Sequence, residues 1–170
     1  MLSYIKLRYS FFSFLGLLAF VSLEAPVLAS YTQQNEEYFK NEIDYLWKED
    51  RPGLVLFKKR INERLPKYQE TFKKSAEGLD IHWTLIAAIS YQESHWNPKA
   101  KSNTGVRGLM MLTQKTAKEM GITKRTNPED SIIGGANYFQ KTFDRLPEDI
   151  PKLDKIWTVS YTHLRAHETS

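Results

Sequence analysis

Helix starts and stops recur along the sequence from Glu36 to Pro151 while strand-like alternation is scarce, which confines the chain to an all-α fold. The sharpest start is Asn127-Pro128-Glu129-Asp130: a capping residue, a proline at the first helical position, then two acids in the first turn. The helix it opens is expected to reach about Leu146, where prolines 147 and 151 mark the next connection. Further upstream, Phe39, Ile43 and Leu46 share one face of a helix over Glu36 to Trp47, and Asp50-Arg51-Pro52-Gly53 is expected to break that run. Leu54, Phe57, Ile61 and Leu65 predict a second amphipathic helix, and Pro66 opens a third that runs from Lys67 to Ala76 and stops at Gly78. Asp80 is expected to cap a helix from Ile81 to about Ser94, ended by Asn97-Pro98. Thr113 is expected to cap another over Gln114 to Met120, with Gly121 at its C-terminal end. No segment repeats with a period of about 20–50 residues, so a solenoid is excluded.

Met1 to Ser30 reads as an address rather than part of the fold. Lys6 and Arg8 precede an apolar run from Phe11 to Leu23, and Val27-Leu28-Ala29 fits a signal-peptidase site with cleavage after Ala29. An uncleaved anchor is the alternative, but the run is shorter than the ~20 residues a spanning helix needs. Removing those 29 residues, which carry Lys6, Arg8 and Glu24, leaves 141 of 170 residues and lowers the net charge from +4 to +3. That excess is not gathered into one run, so no nucleic-acid partner is expected; it suits weak attraction to an anionic polymer. Cysteine is absent, which excludes disulfides, thiolate metal sites, a thiol nucleophile and a lipid-modified N-terminal cysteine. His163 and His167 are spaced like a metal-ligand pair, but no glutamate follows the first, and no metal site is read there.

The segment Ile81 to Ser94 carries the chemistry. Ile86, Ile89 and Glu93 fall on one stripe, as do Leu85, Ile89 and Glu93, so an apolar face ends in a single carboxylate. Partial burial and the negative end of the helix dipole both disfavour charge on such a group and suit it to a general acid. On spacing alone the commoner outcome is an interior glutamate paired with a cation such as Arg107, or reaching out to solvent. Trp96, just beyond, is expected to offer a flat face to a sugar ring. The loop from Lys99 to Gly108 holds Ser102, Asn103, Thr104 and two glycines three apart, which allow tight turns and close approach to main-chain groups.

Three motifs arrive in a recognisable order. Tyr91-Gln92-Glu93-Ser94-His95-Trp96-Asn97-Pro98 is followed by Ser102, Gly105 and Arg107-Gly108-Leu109-Met110-Met111-Leu112-Thr113. Ser131-Ile132, Gly134-Gly135-Ala136 and Tyr138 come later. Together they resemble the catalytic domain of the membrane-bound lytic murein transglycosylase F family and, more broadly, the soluble-lytic-transglycosylase, goose-lysozyme-like superfamily. The resemblance spans residues 54–157 and implies a lysozyme-like helical domain whose substrate is peptidoglycan. It implies that Glu93 is the single catalytic acid/base and that Ser102 is the loop serine beside that acid and the sugar. Met111 and Thr113 match sugar-contacting positions, although Met111 stands where the broader family has Gln. Tyr138 matches either substrate wall or packing.

The loop from Ser94 to Thr113 contains no Asp or Glu, so a second carboxylate for ordinary glycoside hydrolysis would have to be brought close by folding, as with Glu129 or Asp130, which a helix-cap role already explains. One acid suffices if the nucleophile is the substrate's own C6 hydroxyl, which implies a 1,6-anhydromuramic acid product and requires no cofactor. The leader implies an exported, extracytoplasmic protein; with the resemblance it is expected in the periplasm, peripheral to the outer membrane, with glycan strands as partner. Residues 30–53 fill the place where the family carries a solute-binding-like domain. Residues 158–170 depart from the family's Ala-Tyr-Asn motif: Tyr161 falls two positions early and Thr162 replaces the Asn. That tail resembles translated adapter sequence, which predicts an incomplete domain with exposed apolar faces on the helices at 81–94 and 127–146. Rival readings are a hydrolytic muramidase on the same fold, a non-catalytic peptidoglycan-binding fragment and a purely structural helical envelope protein.

Overall fold

The computed structural model describes residues 40–42, 44, 45, 47–79 and 81–165, the side chains of the last three excepted. The leader, the start of the first expected helix, the Asp80 cap and the second histidine of the 163/167 pair lie outside them. The elements are α1 (Arg51–Glu63), a 3-10 turn (Leu65–Lys67), α2 (Gln69–Ala76), α3 (Trp83–Ser94), α4 (Gln114–Glu119), α5 (Pro128–Phe143) and α6 (Lys152–Arg165). The only β pairing among the described residues is two isolated bridges, Lys101 with Arg107 and Arg107 with Leu112. The all-α expectation holds.

Local capping chemistry explains most boundaries. Asp50 accepts from the Gly53 N–H at 2.9 Å, and Pro52 sits in the first turn of α1. The break falls at Asp50, and the second expected helix starts at Arg51 rather than Leu54, because proline is tolerated in a first turn where no intrahelical donor is needed. The third expected helix is split, with Pro66 inside the 3-10 turn and α2 beginning at Gln69. His82 caps α3, its Nδ1 accepting from the Thr84 N–H at 3.3 Å. That helix ends before Asn97-Pro98, with His95 in the left-handed region at φ 53°. Thr113 caps α4 as expected, accepting from the Thr116 N–H at 2.9 Å. Asn127 caps α5, accepting from the Asp130 N–H at 3.1 Å.

The core gathers around α3. From Ile86 to Tyr91 every residue of that helix is buried, so it is enclosed on nearly all sides rather than along one stripe. Phe57 from α1, Phe72 from α2, Ile132 and Phe139 from α5, and Val159 from α6 close around it. α2 packs against both α3 and α5, while α6 lies against α3 and α5. Of the apolar residues on the helices expected to be bared, Ile86, Ile89, Ile132 and Phe139 are fully buried, while Ile133 on α5 is exposed. α6 continues through Trp157 to Arg165, and Ser160 is buried beside Val159.

Candidate active site

Glu93 occupies the last turn of α3, half-exposed as a residue but with its Oε1 atom buried. Partial burial and a place at the helix C-terminus, the two surroundings expected from the sequence, are both present. The chain then turns sharply. His95 (φ 53°) and Trp96 (φ 54°) are consecutive non-glycine residues in the left-handed region, a conformation costing roughly 1–2 kcal/mol per residue. Backbone strain of this kind concentrates at functional sites and persists only where the surroundings hold it.

What holds it is an aromatic cluster. The Trp96 Nε1–H donates to the Ala87 carbonyl at 2.9 Å, and its ring meets Tyr91 edge-on at 4.8 Å. With 0% of its surface exposed, Trp96 presents no face to a sugar. That expectation is corrected: the tryptophan is the plug beneath the turn. Tyr91 in turn packs on Phe57 at 5.1 Å and accepts from Arg60 Nη1 at 3.1 Å. Burial raises the Tyr91 phenol pKa, with Arg60 opposing. Arg64 Nη1 donates to the His95 carbonyl at 2.9 Å. Burial first, then the Arg60 and Arg64 charges, hold the His95 imidazole below its ordinary pKa.

The loop after the turn is stitched directly to the end of α3. Ser94, the neighbour of Glu93, donates its hydroxyl to the Leu109 carbonyl at 2.8 Å, and Ser90 donates to the same oxygen at 3.1 Å. From the other side, the Met110 N–H donates to Ser131 Oγ on α5 at 3.1 Å. The loop thus hangs between the catalytic-candidate helix and α5. Its close fit depends on glycines. A Cβ on Gly108, which has φ +88°, would lie 2.1 Å from the Arg125 carbonyl and 2.8 Å from Ser131 Oγ. Gly134 and Gly135, costly in mid-helix at about 1 kcal/mol each, leave the room that the Leu112 and Met110 side chains fill. Replacing Gly108 by Ala is expected to cost about 2–4 kcal/mol, from the left-handed φ and from overpacking together. Urea unfolding of the purified variant reads that loss directly.

Ser102, Met111 and Thr113 all sit on or beside this loop. Ser102 Oγ accepts from the Val106 N–H at 3.3 Å and bonds the Thr104 hydroxyl at 2.8 Å. Met111 is in the left-handed region at φ 45° and keeps 8% of its surface exposed. Thr113 combines its capping role with a place in the wall of an open groove of about 520 Å³, together with Thr104, Gly105, Arg107, Gln114 and Arg125. Tyr138 stands apart from that groove, half-buried on α5, its carbonyl accepting from Thr142 Oγ1 at 2.8 Å. Arg125 had no signal in the sequence. It lies in the connection between α4 and α5, and only folding brings its Nη1 to the Leu112 carbonyl at 2.6 Å. Among the described residues no group of three or more His, Asp or Glu side chains is placed to hold a metal.

Residues 70–162 match the family described as "Transglycosylase SLT domain". The chain is 55% identical over 116 residues to "Membrane-bound lytic murein transglycosylase F" of Saccharophagus degradans, a match covering 68% of this chain and 22% of that protein. It is 48% identical over 124 residues to the protein of that name from Hahella chejuensis, covering 72% and 23% respectively. With the Shewanella pealeana protein of the same name it shares 50% over 123 residues, 72% of this chain and 24% of the other. The chain therefore spans about a quarter of the length of the curated relatives it matches.

Proposed function

We propose, for a chain that belongs to the transglycosylase SLT domain family, that it cleaves the β-1,4 bond between N-acetylmuramic acid and N-acetylglucosamine of peptidoglycan and leaves a 1,6-anhydromuramic acid end. The observation that carries this reading is Glu93 itself. It is the only carboxylate between Asp80 and Glu119, and it is placed with one oxygen buried at a strained turn.

The chemistry needs one proton moved twice. Glu93 donates a proton to the bridging oxygen as the bond to C1 breaks, and the departing N-acetylglucosamine leaves with a hydroxyl. The positive charge at C1 is shared with the ring oxygen and stabilised by the neighbouring acetamido group. Glu93, now a carboxylate, accepts the proton of the C6 hydroxyl as that oxygen bonds to C1. The nucleophile is part of the same sugar, and such tethering supplies up to about 7–11 kcal/mol that an enzyme using water must find elsewhere. Ser102 is the hydroxyl beside the acid and the sugar. Met111 and Thr113 are the sugar-contacting positions, Met111 through the small part of it that remains exposed, while Tyr138, apart from the groove, is either a substrate wall or packing on α5. No metal or organic cofactor enters this scheme.

The chain acts outside the cytoplasm in this reading, in the periplasm and peripheral to the outer membrane. The names of its relatives describe them as membrane-bound. Among the described residues no helix is long and apolar enough to cross a membrane. Mass spectrometry of purified sacculi after incubation with the protein tests the activity. Fragments lighter by one water than reducing-end muropeptides are expected. Reducing ends would assign a hydrolase instead, and binding without release of fragments would assign a peptidoglycan-binding module.

A further inference from the structure

The groove beside the Ser102 loop has a charge that the cleavage chemistry does not use. Its wall includes two arginines, Arg107 and Arg125, with the hydroxyls of Thr104 and Thr113 and the amide of Gln114, and no acid. The ion pairs Arg51–Asp44, Lys59–Glu63, Lys73–Glu70 and Lys141–Glu119 involve neither arginine. The sequence shows why: from Ser94 to Lys118 there is no Asp or Glu, while Lys99, Lys101, Arg107, Lys115 and Lys118 are all cationic. The two guanidinium groups feel each other, and with desolvation leading and Arg107 adding, the pKa of Arg125 is lowered. Arg125 is nevertheless fixed in place, one of its nitrogens donating to the Leu112 carbonyl. Arg107 is held through its backbone, bridged to Lys101 on one side and Leu112 on the other, while the residue stays exposed. Holding two like charges at one groove whose wall carries no acid costs free energy that an anionic ligand would return.

We infer that this groove binds a carboxylate carried by the muramic acid residues of the glycan. The inference rests on the proposed activity for its substrate and adds a recognition element to it. A carboxylate suits the donors: guanidinium groups pair with it through two parallel hydrogen bonds, and the flanking hydroxyls and amide can complete its shell. The glycan offers that group in two forms, as the free lactyl carboxylate of an unsubstituted muramic acid or as a carboxylate of the peptide attached there. N-acetylglucosamine offers neither. The groove therefore distinguishes the two alternating sugars by charge and would help fix the register in which the strand lies across Glu93.

The test measures binding calorimetrically to the full chain with three ligands: a muropeptide tetrasaccharide with its peptides, the same glycan stripped to free lactyl groups, and a chitin tetrasaccharide. Arg107→Gln is the first variant, since the residue is exposed and held by its backbone; Arg125→Gln is the second, checked for an unchanged unfolding midpoint. Each is expected to weaken the carboxylate-bearing ligand at least about tenfold, the scale of a charge-assisted hydrogen bond, and to leave the chitin ligand unchanged. Loss confined to the peptide-bearing ligand assigns the peptide carboxylate, loss confined to the stripped glycan assigns the free lactyl carboxylate, and loss on both shows that the groove accepts either form. Equal loss on all three ligands, or no loss on any, overturns the inference. Turnover by the unsubstituted protein is followed in parallel. A protein that cleaves nothing but binds muramic ligands through Arg107 would sink the lyase reading and leave this site standing.

Discussion

Glu93→Gln is expected to lower kcat on peptidoglycan by about 10³-fold or more while leaving the fold intact. Positioned proton transfer contributes typically about 10²–10⁴-fold for a single acid or base. Here one side chain serves both directions, so an amide that can neither donate to the bridging oxygen nor accept from the C6 hydroxyl fails twice. A 10³-fold loss corresponds to about 4 kcal/mol of transition-state stabilisation. The structural cost is small by comparison. Gln matches Glu in shape, Glu93 is only half-buried as a residue, and the packing of α3 rests on Ile86, Ile89 and Tyr91 rather than on residue 93. Stability should therefore change by less than about 1 kcal/mol. The measurement pairs a sacculus-release assay with urea unfolding of the same preparation. A folded Gln variant that keeps its activity would remove Glu93 from the mechanism and the proposed function with it.

The site was legible in the sequence where its determinants are local. Thr113 and Asn127 cap their helices as their neighbours dictate, since a side-chain oxygen needs only the N–H groups two or three residues ahead. Glu93 stood out because a lone acid on an apolar helix is a local anomaly. Misreadings arose where the outcome depends on what packs against a segment. Pro66 looks like a helix start, yet the chain spends it in a 3-10 turn. Period alone gave α3 one apolar stripe, whereas α1, α2, α5 and α6 together supply neighbours on nearly every side. Arg125 belongs to the groove only because the Gly108 backbone comes within reach of its carbonyl. No spacing along the chain encodes that approach.

Trp96 separates two physical roles, and its replacement by Ala is expected to cost about 3–5 kcal/mol of stability. A sugar platform would be exposed, and truncating it would raise KM with little effect on folding. Trp96 is instead among the largest fully buried side chains of the described residues. Its removal would leave a cavity beneath the α3 turn and break its edge contact with Tyr91 and its bond to the Ala87 carbonyl. Against a total stability of about 5–15 kcal/mol for a domain of this kind, that is a large fraction. Ala at position 96 would also have to hold φ 54° without the anchor that now secures it. The strain at residues 95 and 96 would then be free to relax, and Glu93, two residues ahead of that strained pair, would lose its fixed orientation. Kinetics below the unfolding midpoint should accordingly show a fall in kcat beyond the folded fraction. Trp96→Phe keeps most of the ring and loses mainly the indole N–H bond, so it should cost only about 1–2 kcal/mol and retain most activity. An Ala variant as stable as the parent, with only KM raised, would return Trp96 to the substrate cleft.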